Sequence, residues 1–166
     1  MKLPDAETLL AALIAQMRPA LTAETALVGI RTGGLWIAER VHAALGLKTP
    51  CGALDVSFYR DDFDKIGLHR EVKPTAIPFE VEGRDLVVVD DVLYTGRTIR
   101  AAMNELFDYG RPKSIRLAAL VDRGGRELPV APQFLGSTVT LAAGQSLELI
   151  RDAAGRLALQ LHTQTP

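Results

Sequence analysis

Only one cysteine, Cys51, occurs in the 166 residues, so no disulfide forms within the chain and the stapled secreted scaffolds are excluded. No apolar run reaches membrane-spanning length and no secretory leader pattern is present, which leads us to expect a reducing cytoplasm. An excess of either charge is also missing. The 19 Lys and Arg stand against 20 Asp and Glu for a formal net charge of -1, so no global basic field draws the chain to nucleic acid, although a local basic face is compatible with it. Repeats and low-complexity tracts are absent, as are GxxxxGK followed by Ser or Thr and GxGxxG, which removes the main support for ATPase and dinucleotide-binding readings. What is present, 48% hydrophobic and 23% charged residues with 14 Gly and 9 Pro, is the composition of an ordinary globule. This length suits a single domain over 1–166 with a real core and little room for a second.

Along the chain, Leu9, Leu10, Leu13, Ile14 and Met17 recur at helical spacing behind Asp5 as N-cap, with Pro19 as a stop. Residues 26–30 form a short apolar run that gives way to Arg31, Thr32, Gly33 and Gly34. Helical spacing then resumes over 35–45 up to the cap Gly46. Residues 51–58 read as a strand, and 59–78 are polar and broken by Gly67, Pro74 and Pro78, the profile of a functional lid. The β-branched run at 86–89 predicts a strand buried on both faces and ending in Asp90 and Asp91. A helical stripe of Ile99, Ala102, Met103 and Leu106 follows. Strands are expected at 115–121 and 134–136, and 147–150 with 157–161 around Ala153, Ala154 and Gly155 read as a terminal hairpin. Strands alternating with helices predict an α/β fold with a parallel sheet flanked by helices and a ligand site beyond the carboxyl ends of the strands.

The residues at one such end carry the most chemistry. Asp90 and Asp91 are followed by Val92, Leu93, Tyr94, Thr95, Gly96, Arg97 and Thr98 at a helix start. The stretch 95–98 offers backbone amides, hydroxyl donors, a glycine that permits close approach and the positive end of a helix dipole, which together suit an anion. Two crowded carboxylates gain nothing structurally from each other, and they suit hydroxyls or a metal. A ribose 5-phosphate satisfies both halves. Receiver domains and nucleotidases also pair acids at a strand end, but without such a cradle directly after them. His42, His69 and His162 show no metal-type spacing and read as surface residues, Trp36 and Met103 as core, and Cys51 as a small buried hydrophobe.

The run Val87-Val88-Val89-Asp90-Asp91-Val92-Leu93-Tyr94-Thr95-Gly96-Arg97-Thr98 resembles the phosphoribosyl pyrophosphate (PRPP) signature of the type I phosphoribosyltransferases. Ser57-Phe58-Tyr59-Arg60-Asp61-Asp62, Tyr109-Gly110-Arg111-Pro112 and the stretch from Leu120 through Val121-Asp122-Arg123-Gly124-Gly125-Arg126-Glu127-Leu128-Pro129 resemble, within that family, the pyrimidine-operon regulators that are also uracil phosphoribosyltransferases. The resemblance covers about residues 27–134 and weakens at both ends. It implies the type I phosphoribosyltransferase fold, a central parallel β-sheet flanked by helices with a small hood from the terminal flanks. The implied reaction is uracil plus PRPP giving uridine monophosphate (UMP) and diphosphate, with Mg²⁺ carried by PRPP and no direct protein ligand to the metal.

On these positions the resemblance assigns Asp90 and Asp91 to the ribose hydroxyls and Thr95, Gly96, Arg97 and Thr98 to the 5-phosphate. Val92, Leu93 and Tyr94 complete the PRPP motif, and Arg31, Thr32, Gly33 and Gly34 take the pyrophosphate loop. Asp90, Asp91 and Arg31 are the catalytic candidates, because charge develops positive on the sugar and negative on the leaving oxygens. Gly33 stands where the family pattern has an arginine, which removes one cation from the leaving-group site. Tyr59, Arg60, Asp61 and Asp62 belong to the lid, which would bring Arg60 or Lys65 to the leaving group. Uracil is expected against Val121, Asp122 and Arg123, with Tyr94 nearby. A homodimer or higher homo-oligomer is expected, and no membrane. Binding of pyrimidine-operon messenger RNA is weakly supported. The opening helix offers Leu10, Leu13, Ile14, Gln16 and Met17, and 129–145 contains no Lys or Arg, although Arg111, Lys113, Arg116, Arg123 and Arg126 remain as contacts. The alternatives are a nucleotide sensor with little catalysis and a purine or orotate phosphoribosyltransferase, against which only 121–129 argues.

Overall fold

Asp5 caps the first helix through its carboxylate, which accepts the Thr8 amide at 2.9 Å, and α1 runs Ala6–Met17. The computed structural model describes residues 1–56 and 75–164. β1 (Ala26–Ile30), α2 (Gly33–Leu45) and β2 (Gly52–Leu54) follow, and then β3 (Asp85–Leu93), α3 (Arg97–Phe107) and β4 (Ser114–Asp122). β5 (Phe134–Thr138) and the strands β6 (Gln145–Arg151) and β7 (Leu157–Thr163) complete the described elements. Gly46 ends α2 with φ 60°, as its position after the last periodic residue predicts. β2 keeps three residues of the expected strand at 51–58, whose last two positions lie outside the described residues, as does all but the end of the 59–78 segment.

Five strands form one parallel sheet in the order β2-β1-β3-β4-β5. β3 is central, and its residues alternate between two apolar layers. Val87 and Val89 join Leu27, Leu120, Leu10, Leu13, Ile37 and Val41, beneath α1 and α2. Leu86 and Val88 join Val28, Ile30, Ala119, Ile99, Ala102 and Leu106, beneath α3. This two-sided burial is why the strand reads as a continuous β-branched run. β6 and β7 pair antiparallel from Gln145↔Thr163 to Arg151↔Leu157. They place Leu147, Leu149 and Leu157 in the first layer beside α1.

One expectation is corrected. β3 does not end at Asp90 and Asp91 but continues to Leu93, because Val92 and Leu93 pair with Val121 and Asp122 of the equally long β4. The two acids therefore sit inside a rigid strand. The strand order reverses between β1 and β3, which places a crevice beyond their carboxyl ends. Gly34 closes that crevice tightly: a Cβ there would lie 2.3 Å from the Val89 carbonyl oxygen and 3.1 Å from the Asp90 Cα, so only glycine lets α2 start directly on β3.

Glu7 ties α1 to its neighbours. It accepts the Leu157 amide at 2.8 Å and both terminal nitrogens of Arg40 at 3.3 and 2.8 Å. The Arg40 guanidinium, followed by the Leu157 amide, holds its carboxyl below the ordinary 4.5. A carboxyl lowered in the folded state stabilises fully above its unfolded value, and that stabilisation is lost as the pH falls through the folded value. Melting temperature is therefore expected to hold above about pH 5 and to decline below it. Glu7→Gln should flatten part of that acid slope in a melting series from pH 3 to 7 at about constant ionic strength.

Trp36 is half-buried on the first layer, with the Arg151 guanidinium 4.6 Å over its ring, and Met103 packs on the second. His162 is exposed and pairs with Glu148 at 2.7 Å. His42 departs from the surface reading: it is half-buried, and its Nε2 meets the Thr49 carbonyl at 2.9 Å. His69 lies outside the described residues. Cys51 is half-buried, and its thiol donates to the Ala38 carbonyl at 3.6 Å. Burial, helped by Glu39, pushes that thiol up to about 11, so it stays protonated at neutral pH. Iodoacetamide at pH 7.5 should label Cys51 much more slowly in the native chain than in urea-unfolded chain.

Candidate active site

Asp90 is 6% exposed, and its Oδ1 accepts the Asp91 amide at 2.9 Å. Asp91 is half-buried, and its Oδ1 accepts the Val92 amide at 2.8 Å. Alternation along β3 sends these neighbours to different sides, and Asp91 leans across to the start of α2. Its Oδ2 would be 2.3 Å from a Cβ at Gly33. The glycine at 33 is therefore more than a missing cation: its bare Cα is what Asp91 lies against. An arginine in its place would have to turn the Asp91 side chain aside.

The loop Arg31, Thr32, Gly33 and Gly34 leaves β1 at the crevice, and the amide of Arg31 donates to the Leu54 carbonyl of β2 at 2.8 Å. Gly33 and Gly34 form the first turn of α2 instead of a preceding loop, and Thr32, at the cap position, makes no side-chain capping bond. The Arg31–Thr32 peptide is cis. Among the described residues, the Arg31 Nε is the one buried side-chain polar atom without a hydrogen-bond partner. A buried donor is costly to leave unmet, and beside the amide end of a helix it suits an anion.

Across the crevice, Gly96 takes φ 94° as the N-cap of α3, a conformation open to glycine. Thr95 is 4% exposed, and its Oγ1 accepts the Arg97 amide at 3.2 Å. The Arg97 guanidinium is engaged in an ion pair. Its Nε and Nη2 both bind Glu127 Oε2 at 2.9 Å. Leu93 is 1% exposed and belongs to the core.

Parallel pairing of β3 with β4 brings Val121 and Asp122 beside Val92 and Leu93. Val121 is buried. Asp122 accepts the Gly124 amide at 2.9 Å and pairs with Arg126 at 2.6 Å. The Arg123 amide donates to Leu93 O at 3.0 Å. Its guanidinium lies 3.9 Å over the Tyr94 ring and donates to the Gln145 carbonyl at 3.1 Å. The carboxyl ends of β1, β3 and β4 thus gather two consecutive carboxylates, two helix starts and an edge of aromatic, guanidinium and backbone groups.

The phosphoribosyl transferase domain family matches residues 2–139. The Bifunctional protein PyrR of Pseudomonas fluorescens is 56% identical over 137 residues, covering 82% of this chain and 79% of that protein. The chain belongs to the PyrR group of the phosphoribosyl transferase family. The Bifunctional protein PyrR of Ralstonia nicotianae is 49% identical over 166 residues, covering 98% and 95% of the two chains. Among solved structures, the hypoxanthine-guanine phosphoribosyltransferase of Leishmania tarentolae in complex with GMP has a TM-score of 0.64 at 18% identity, covering 96% and 95%. A hypoxanthine-guanine phosphoribosyltransferase of Bacillus anthracis has a TM-score of 0.66 at 17% identity, covering 84% and 83%. These two likenesses bear on the fold, which is that of the type I phosphoribosyltransferases.

As a phosphoribosyl transferase, the chain carries its signature residues on β3 and at the start of α3, with the 31–34 loop beside them. Tyr59, Arg60, Asp61 and Asp62 lie outside the described residues, as does Lys65. Two residues that the sequence did not place in this site, Arg126, expected only as an RNA contact, and Glu127, are closely involved in its hydrogen bonding. Their sequence signals were membership of the 120–129 stretch that carries the resemblance and, for Arg126, an opposite charge four positions away at Asp122; the pairing of Glu127 with Arg97 spans 30 positions and left none. Among the described residues no group of three or more His, Cys, Asp or Glu side chains is placed to hold a metal ion, and no helix is long and apolar enough to cross a membrane.

Proposed function

We propose that this chain transfers the phosphoribosyl group of PRPP to uracil, forming UMP and diphosphate, in the cytoplasm. The observation that carries the reading is the wall of Asp90 and Asp91 set between two helix starts, with Arg31 Nε unmet beside one of them. Asp90 and Asp91 accept the ribose hydroxyls and stabilise the positive charge that grows on the sugar as the leaving group departs. The start of α3, at Thr95, Gly96, Arg97 and Thr98, receives the 5-phosphate through backbone and hydroxyl donors, leaving the Arg97 guanidinium on Glu127. Arg31 and the amides at Thr32, Gly33 and Gly34 take the pyrophosphate. Mg²⁺ enters as part of the PRPP substrate, and it would offset charge on the departing oxygens.

Uracil is placed against Val121, Asp122, Arg123 and Tyr94. Its hydrogen-bonding edge suits backbone groups at the end of β4 and the Arg123 guanidinium, which already touches the Tyr94 ring. Pyrophosphate release from PRPP and Mg²⁺, with uracil, orotate, hypoxanthine, guanine and adenine offered separately, tests the reading. Turnover with uracil alone is the expected result, and turnover with a purine or orotate instead would overturn it. The relatives carry the name bifunctional, and we place beside transfer a second activity, UMP-dependent binding of pyrimidine-operon messenger RNA. Binding to the operon leader should weaken steeply with salt, and its absence at low salt would reject this activity.

A further inference from the structure

The segment 122–128 does more than follow a strand. Arg126 spends its three side-chain nitrogens on three different residues, Asp122 and Val130 on either side of it and Tyr94 ahead of the cradle. Nε donates to the Val130 carbonyl at 2.7 Å, Nη2 to Asp122 Oδ2 at 2.6 Å, and Nη1 to the Tyr94 carbonyl. Its neighbours grip the next peptide of the phosphate cradle, since the amides of Glu127 and Leu128 both donate to the Thr95 carbonyl at 2.9 and 3.1 Å. Glu127 then fixes Arg97, the first residue of α3. At the other end, Asp122 and Arg123 lie at the base edge, with Arg123 bonded to Leu93 O and stacked on Tyr94.

These bonds have a directional consequence. A trans peptide is planar, with its carbonyl and amide pointing to opposite sides. Holding the Tyr94 and Thr95 carbonyls toward 126–128 therefore turns the amides of Thr95 and Gly96 away from that segment. The orientation of the amides that open the cradle thus depends on where 126–128 sits, and that depends on Asp122 through Arg126. The Asp122 and Arg126 side chains are only 14% and 23% exposed, so their pairing is less screened than a surface pair.

We infer that Arg126 is a positioning residue that couples the two ends of the site, so that a base held at Asp122 and Arg123 raises the affinity for the phosphoribosyl ligand. By linkage the phosphoribosyl ligand raises the affinity for the base by the same factor. The inference rests on the placement of base and phosphate under the proposed function, and it adds the coupling between them.

The test uses the full chain and ribose 5-phosphate, which has no leaving group and does not turn over. Its dissociation constant is measured by calorimetry with and without saturating base, taking whichever of uracil, orotate, hypoxanthine, guanine and adenine the wild type binds. The expected affinity gain is about fivefold or more for the wild type, falling to about onefold in Arg126→Gln. Arg126→Lys keeps a positive charge for Asp122 but lacks the fork that also holds the Tyr94 and Val130 carbonyls. It should lose the gain as well, and it decides the matter if the Gln variant does not fold. Leu47→Ala, in the core just beyond α2, should lower the melting temperature and leave the gain intact. A wild type whose ribose 5-phosphate affinity ignores every base it binds, or a folded Arg126→Lys with the full gain, would overturn the coupling. Binding of a base other than uracil, with the gain present and lost in the Arg126 variants, would instead refute the uracil assignment and leave the coupling standing.

Discussion

Asp90→Asn should lose on the order of a hundredfold or more in kcat/KM for PRPP while keeping the fold. The substitution is isosteric, and the amide oxygen can still accept the Asp91 amide that Asp90 Oδ1 accepts at 2.9 Å. What it removes is charge. Hydrogen bonds from sugar hydroxyls to a carboxylate are worth about 1.5–3 kcal/mol each, and stabilisation of a growing positive charge in a water-excluded site adds about 3 kcal/mol where single groups have been removed. Steady-state kinetics across PRPP concentrations, beside a melting curve, read this directly. A folded Asn variant with wild-type turnover would take Asp90 out of the sugar site.

Gly34→Ala is expected to act on the fold and the site together. The added Cβ would stand 2.3 Å from the Val89 carbonyl oxygen and 3.1 Å from the Asp90 Cα. Both are backbone atoms of the central strand, so no side chain can rotate away and α2 must lift. Overpacking of this kind costs about 3 kcal/mol, which for a chain of this size is a fall of roughly 6–12 °C in melting temperature. The lifted helix would carry the 31–34 loop off the Asp90–Asp91 wall, so affinity for pyrophosphate should fall as well. A variant with an unchanged melting temperature would mean that the α2–β3 approach is looser than these distances.

Much of this was legible in the sequence because its signals are local. A β-branched run between polar caps gives a buried central strand, and Asp5, Gly46 and the apolar spacing delimit helices, since capping and periodicity depend on neighbours a few positions away. The family signature at 87–98 is legible for the same reason, since it runs from strand through loop to helix start without a break. The end of β3 was not legible. Whether Asp90 and Asp91 close a strand or lie within it depends on the partner strand, and Val92 and Leu93 continue only because Val121 and Asp122 stand beside them.

The sequence by itself determined the alternation of strands and helices, the placing of two acids shortly before a glycine-capped helix start, and the family. The tertiary structure alone decided which long-range partners each group takes. Gly33 reads as a lost cation until Asp91 is found lying on its Cα. The Arg97 guanidinium has no legible partner until Glu127, 30 positions away, is found to hold it. Arg126 reads as no more than an RNA contact until the Tyr94 and Val130 carbonyls and the Asp122 carboxylate are found converging on it. The physical reason is common to all three. Propensity and capping act within a turn or two of chain, whereas the direction of a long charged side chain is set by whichever partners the folded backbone brings within hydrogen-bonding reach.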